Sequence, residues 1–144
     1  MIIFYKMSII NMQTMRYINL LDKTSRVKTR RCFVYNTIIF FAVPKRNVSR
    51  AIGPAAINVK KLQAKLGKRI RIIAENSGIK DAKRFISDIV EPVKIKSLEI
   101  KDGKMIVSAD GMQNKAMLFG RNKRRFFELK KIVQDIFGME LKIV

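Results

Sequence analysis

The apolar positions of this chain change period several times, and each change marks a predicted element. Over residues 8–22, Ile10, Tyr17, Ile18 and Leu21 fall at helical spacing, with Asp22 near the end. From residue 27 to 34 the pattern turns strand-like, rich in β-branched and aromatic residues, and residues 37–43 are almost wholly apolar. Tyr35 and Asn36 make the turn between them, and Pro44, which has no N–H for a ladder, ends the second strand. A short helix around residues 47–52 leads to a loop at residues 53–56. The next helix aligns Val59, Leu62 and Leu66 on one face, and Lys61, Lys65 and Lys68 recur at helical spacing on its other side. Gly67 stops it, and residues 69–74 alternate as a third strand.

After Asn76, Ser77 and Gly78, which read as a linker, the same order returns. Asp81 is the expected N-cap of a helix whose inner face is Ala82, Phe85, Ile86 and Ile89, closed by Pro92. Residues 93–100 and 104–108 are two strands around Asp102-Gly103, a hairpin turn signal. Residues 111–119 form a short helix, 120–123 a loop, 124–137 a long helix stopped by Gly138, and 140–144 the last strand. The repeat has a period of 67 residues: Val59, Leu62 and Leu66 map onto Phe126, Leu129 and Val133. Val27-Lys28 maps onto Val93-Lys94 at an offset of 66. One folding unit used twice is the expected organisation, with the halves packed as a rigid tandem.

Composition sharpens this picture. Of 144 residues, 48% are hydrophobic, enough for a real core. Lys and Arg number 31 against 11 Asp and Glu, for a net charge of +20, which favours a phosphate-rich partner. Residues 1–80 hold 17 basic and 2 acidic residues, and residues 81–144 hold 14 and 9, so the first half carries most of the excess. No acidic residue lies between Asp22 and Glu75. The chain has no histidine and one cysteine, Cys32, expected at a buried strand position. This removes the usual zinc sites, any internal disulfide and every imidazole mechanism. The acidic residues form no general acid/base pair, so no enzyme activity, cofactor or small-molecule substrate is expected. No apolar stretch reaches transmembrane length, and the opening Met1-Ile2-Ile3-Phe4-Tyr5 lacks the basic region of a signal peptide. Met7 serves equally well as a start, and the expected location is cytoplasmic.

The candidate chemistry sits in the duplicated segments. The first is Ala51-Ile52-Gly53-Pro54-Ala55-Ala56-Ile57-Asn58-Val59-Lys60-Lys61-Leu62, and the second is Leu118-Phe119-Gly120-Arg121-Asn122-Lys123-Arg124-Arg125-Phe126-Phe127-Glu128-Leu129. A glycine-led loop between two helices sets the positive end of the second helix beside its ligand, for which phosphate is the natural choice. The predicted phosphate-contacting residues are therefore Gly53, Pro54, Ala55, Ala56, Lys60, Lys61, Lys65 and Lys68 in the first copy. In the second they are Gly120, Arg121, Asn122, Lys123 and Arg124. Arg69 and Arg71 are further phosphate candidates, and Lys28, Arg30 and Arg31 form an expected basic edge. Phe33, Phe40 and Phe41 are expected inside the first sheet. Phe126, Phe127 and Phe137 are read as core rather than as stacking platforms.

These loops, set in a helix-strand-strand-helix-helix-strand unit, resemble the Gly-x-x-Gly loops of type II KH domains. The compact pair, with no S1 domain before it, resembles the archaeal NusA-like transcription termination and antitermination factors over about residues 8–144. The resemblance implies an α+β fold of two tandem type II KH domains, at residues 1–77 and 78–144, each with a three-stranded sheet. It implies a monomeric single-stranded RNA-binding protein acting in transcription elongation or termination, with RNA polymerase as a protein partner and no membrane association. Two departures stand out: the second glycine of the family loop is Ala56 in the first copy and Lys123 in the second. Pro54 also removes an N–H, and the first loop has no cation, so the second is the better phosphate clamp. One alternative is a structural protein on the ribosome or RNA polymerase whose loops are architectural turns. A DNA-binding helix-turn-helix is the other, disfavoured because the candidate recognition helix buries Val59, Leu62 and Leu66.

Overall fold

The computed structural model describes residues 2–29 and 31–144, with side chains from residue 12 onward, so Arg30 and the Ile10 side chain lie outside the described residues. The architecture is α+β with two three-stranded sheets. The chain divides into two compact units, Met1–Glu75 and Asn76–Val144. Among the described residues no helix is long and apolar enough to cross a membrane.

In the first unit, helix α1 (Ile2–Ser25) precedes strands β1 (Arg31–Tyr35) and β2 (Ile38–Val43). Helices α2 (Val48–Ile52) and α3 (Ile57–Leu66) then lead to β3 (Arg69–Ala74). β2 is central, antiparallel to β1 and parallel to β3. Helix α1 stops where Arg26 turns left-handed (φ 62) and its N–H reaches the Asp22 carbonyl at 2.8 Å. The Ser25 hydroxyl donates to the Leu21 carbonyl (2.8 Å) and accepts the Val27 N–H (3.2 Å).

The first strand begins later than its pattern predicts. Residues 27–29 are not strand because the Thr29 hydroxyl replaces the ladder, donating to the Ala42 carbonyl and accepting the Arg31 N–H at 3.1 Å. The hairpin turn is also shifted by one residue, to Asn36 (φ 52) and Thr37 (φ 63), both left-handed as the twist of a two-residue hairpin requires.

Along β2 and β3 the residues alternate between faces, and Ile39, Phe41, Val43, Ile70 and Ile72 form the core side. Onto them pack Tyr17 and Leu21 of α1, Ala51 of α2 and Leu62 of α3, with Ile18 of α1 only half-buried. Each fully buried Leu or Phe contributes roughly 1.5–3 kcal/mol. The opposite face carries a cross-strand ladder. Phe33 stacks on Phe40 (centroids 5.4 Å, 9°), and the Arg71 guanidinium lies 5.9 Å from the Phe40 ring. Phe40 and Phe41 are therefore both interior, on opposite faces, while Phe33 is half-buried at the edge.

The second unit repeats the order with α4 (Ala82–Val90), β4 (Ile95–Lys101), β5 (Lys104–Ala109), α5 (Gly111–Phe119), α6 (Arg124–Phe137) and β6 (Glu140–Ile143). Its central strand, β5, is again antiparallel to one neighbour and parallel to the other. Asp102 (φ 51) and Gly103 (φ 72) form the predicted hairpin turn. β4 starts two residues later than expected, mirroring β1, and Val27 and Val93 are buried just ahead of the two strands. Met105 and Val107 of β5 pair with Leu141 and Ile143 of β6, and all four are buried.

Asp81 is not the side-chain N-cap that its position predicts. Its carboxylate instead accepts from Arg84 Nη2 (2.6 Å) and Nε (3.1 Å) and from the Ser77 N–H (3.2 Å) and hydroxyl (3.1 Å). A bidentate guanidinium outcompetes a backbone N–H for the same oxygens. The hydrogen bonds from Arg84 hold the Asp81 carboxyl down, from 3.8 to about 2.

Candidate nucleic-acid interface

The two predicted loops have the same backbone. Gly53 (φ 80, ψ 164) and Gly120 (φ 71, ψ 177) end the preceding helices in a region open only to glycine. Ala55 (φ 54, ψ 30) matches Asn122 (φ 57, ψ 28), and Ala56 (φ 58, ψ 32) matches Lys123 (φ 59, ψ 23). The hydrogen bonds match as well. Gly53 donates to the Ser49 carbonyl at 2.9 Å and Gly120 to that of Ala116 at 3.0 Å. Ala56 donates back to Gly53 at 3.0 Å and Lys123 to Gly120 at 3.2 Å. The 67-residue period is thus a repeat of geometry, and it pairs residues one by one.

Each glycine is also required sterically. A Cβ on Gly53 would lie 2.8 Å from Asn58 Nδ2 and 2.9 Å from Ile57 Cγ2; one on Gly120 would lie 2.9 Å from Arg125 Cγ. Asn58 in turn donates to the Arg50 carbonyl at 3.2 Å, tying α3 to α2 across the loop. Residues 56 and 123, where the resembled loops carry glycine, are left-handed, a conformation that costs a side chain roughly 1–2 kcal/mol. The second loop meets part of this demand with Asn122, which tolerates the left-handed region, whereas the first uses two alanines in succession.

Neither α3 nor α6 has a side-chain cap at its N-terminus. The Ile57 and Arg124 N–H groups bond to the Pro54 and Arg121 carbonyls, and the N–H groups that follow them have no side-chain acceptor and lie at the positive end of each helix dipole. Around the first of these ends Pro54 and Ala55 are exposed, Ala56 is half-buried, and Lys60, Lys61 and Lys65 are exposed on α3. Lys68 is exposed but leaves the row, because Gly67 (φ 64) terminates the helix before it. Arg69 and Arg71 lie on the sheet face opposite the core side that packs against α3, so they extend no helix surface. Lys28, ahead of β1, and Arg31, at the start of that edge strand, are both exposed.

Around the second end Arg121, Asn122, Lys123 and Arg124 are all exposed. The three phenylalanines of α6 depart from the core assignment. Phe137 is half-buried against Phe85 (6.1 Å, 72°), and Phe126 is half-buried between Phe119 and Phe127, each at 5.5 Å. Phe127 is 56% exposed. The repeat itself carries the signal for this, since Phe127 maps onto Lys60, a surface cation. Leu129, Ile132 and Val133 already fill the buried stripe of α6. Cys32 offers no reactive thiol: burial pushes its pKa up to about 12, and it packs at the margin of the first core. Among the described residues no group of His, Cys, Asp or Glu is arranged to hold a metal ion.

No protein-family model and no curated protein matches the chain. Among solved structures it is similar to "Crystal structure of APE1850", with a TM-score of 0.65 and 24% identity. That match covers 90% of this chain and 96% of the other, and at this identity it establishes a shared fold.

Proposed function

We propose that this chain is a tandem KH-type protein that binds single-stranded RNA through its two glycine-led loops. The observation that carries the reading is the pair of loops with matching dihedrals, each opening an uncapped helix in a chain of net charge +20. Two cationic loop residues, Arg121 and Lys123, make the second copy the stronger clamp. In the first copy the contacts fall to Lys60, Lys61 and Lys65 on α3. By its resemblance to NusA-like factors, the protein acts in transcription elongation or termination alongside RNA polymerase.

Binding of a fluorescently labelled single-stranded RNA, titrated across salt concentrations, tests this. The affinity is expected to fall with a slope in log K against log salt of about 0.7 per phosphate contacted, and duplex DNA is expected to bind more weakly. A flat salt response, or equal affinity for duplex DNA, overturns the reading. The exposed, uncharged Pro54 and Ala55 favour a second reading for the first loop, as a docking turn against a protein surface. Ala56→Gly separates the two, since it alters affinity for isolated RNA only if that loop touches RNA.

A further inference from the structure

The exposed aromatic ring of α6 has no counterpart in the first copy. Phe127 sits one turn into the helix, and its neighbours at i−4, i−3, i+3 and i+4 are Lys123, Arg124, Lys130 and Lys131, all exposed. One helix face therefore reads cation, aromatic, cation. At the matching positions of α3 the same face carries Ala56 and Ile57, then Lys60, then Gln63 and Ala64. The first copy thus has a lone cation where the second has an aromatic ring, and uncharged residues where the second has four cations. Glu128 is the one acidic residue adjoining the ring in sequence, and it is half-buried.

The ring is also held in place. Phe126 lies 5.5 Å from it at 60°, and Phe119 lies 5.5 Å from Phe126, so a chain of aromatic contacts runs from the end of α5 out to Phe127. What sets this ring apart from the other exposed apolar side chains is that it is aromatic and framed by four exposed cations. An apolar protein partner would not ask for four cations around the contact. A nucleic-acid strand asks for both, with phosphates for the cations and a base for the ring.

Resting on the RNA-binding reading above, we propose that Phe127 is a stacking platform for one nucleobase of the bound strand. The second unit then holds a base as well as the backbone, while the first holds backbone only. Because every base has a π-face, this contact anchors the strand with little sequence preference.

The test uses the full chain and an eight-nucleotide single-stranded RNA of mixed sequence, with an abasic version of the same strand. Phe127→Ala is expected to weaken binding of the RNA about tenfold and of the abasic strand hardly at all, with the salt slope unchanged. Phe127→Tyr should restore affinity. The chain contains no tryptophan, so Phe127→Trp installs a single indole, whose fluorescence, excited apart from the three tyrosines, should be quenched by the RNA and much less by the abasic strand. Unchanged affinity in Phe127→Ala, equal losses on the two strands, or Trp emission indifferent to saturating RNA each overturns the platform and leaves the RNA-binding reading intact. Failure of the unaltered protein to bind the RNA overturns both.

Discussion

At residue 56 a left-handed alanine stands where the loop geometry favours glycine, and at residue 53 a glycine stands where nothing else fits. The two sites predict opposite responses to the same exchange. Ala56→Gly removes a left-handed penalty of roughly 1–2 kcal/mol and adds about 0.5–1 kcal/mol of chain entropy, for a net gain of about 0.5 kcal/mol. Gly53→Ala forces a Cβ into φ 80, ψ 164 and to within 2.8 Å of Asn58 Nδ2, and is expected to cost about 2–3 kcal/mol. Urea denaturation of the two variants checks the signs. A destabilised Ala56→Gly would mean that the left-handed turn is not what that position resists.

The linker and α4 form an element whose stability depends on one carboxylate. Asp81 joins Ser77 to Arg84, and Arg84 Nη1 reaches Asp88 at 2.8 Å, so one guanidinium ties the linker to the first two turns of the helix. The folded pKa of Asp81 is lowered to about 2, chiefly by its hydrogen bonds from Arg84, below the unfolded value of about 3.9. Its contribution is therefore complete above roughly pH 4–5 and is lost as pH falls towards 2. The full shift would be worth more, but the pair is partly solvated, and about 1 kcal/mol is the expected size. Asp81→Asn should lower stability by that roughly 1 kcal/mol above pH 6 and bring its curve together with that of the unaltered protein near pH 2, which flattens the acid limb. An unchanged acid limb would assign that stability to other carboxylates. This element also shows what a linear pattern conveys. Asp81 ahead of Ala82, Phe85, Ile86 and Ile89 marks the helix and its buried face correctly, because both follow from local spacing. Its true partner depends on which of two competing donors reaches the oxygens, and spacing does not rank them. Thr29 is the same case: its hydroxyl displaces the strand start, although Val27 to Val34 reads as β throughout. The loops were legible because glycine, the helix stop and the 67-residue period coincide. Phe127 reads as core because three phenylalanines at helical spacing look like a stripe, and only the residues paired by the repeat distinguish a surface position from a core one.

Across the whole molecule the charge and the loop chemistry are distributed differently. The acid-free stretch between Asp22 and Glu75 gives the first half an unopposed positive field, whereas nine carboxylates dilute the second half. Fields screened over about 8–10 Å act on the approach of a polyanion, while short-range contacts act on its departure. The two copies should then divide binding kinetically. Replacing Lys60, Lys61 and Lys65 together by Gln is expected to slow association several-fold at low salt, with a smaller effect on dissociation. Replacing Arg121, Lys123 and Arg124 by Gln should do the reverse, because those exposed side chains surround the start of α6, the phosphate site of the proposed clamp. Stopped-flow measurements with the same single-stranded RNA distinguish the two. Both triple variants should lower the salt slope by up to about 2, corresponding to three phosphate contacts. If they changed the two rate constants alike, the asymmetry of charge would have no kinetic role, and the copies would be equivalent clamps despite their different loops.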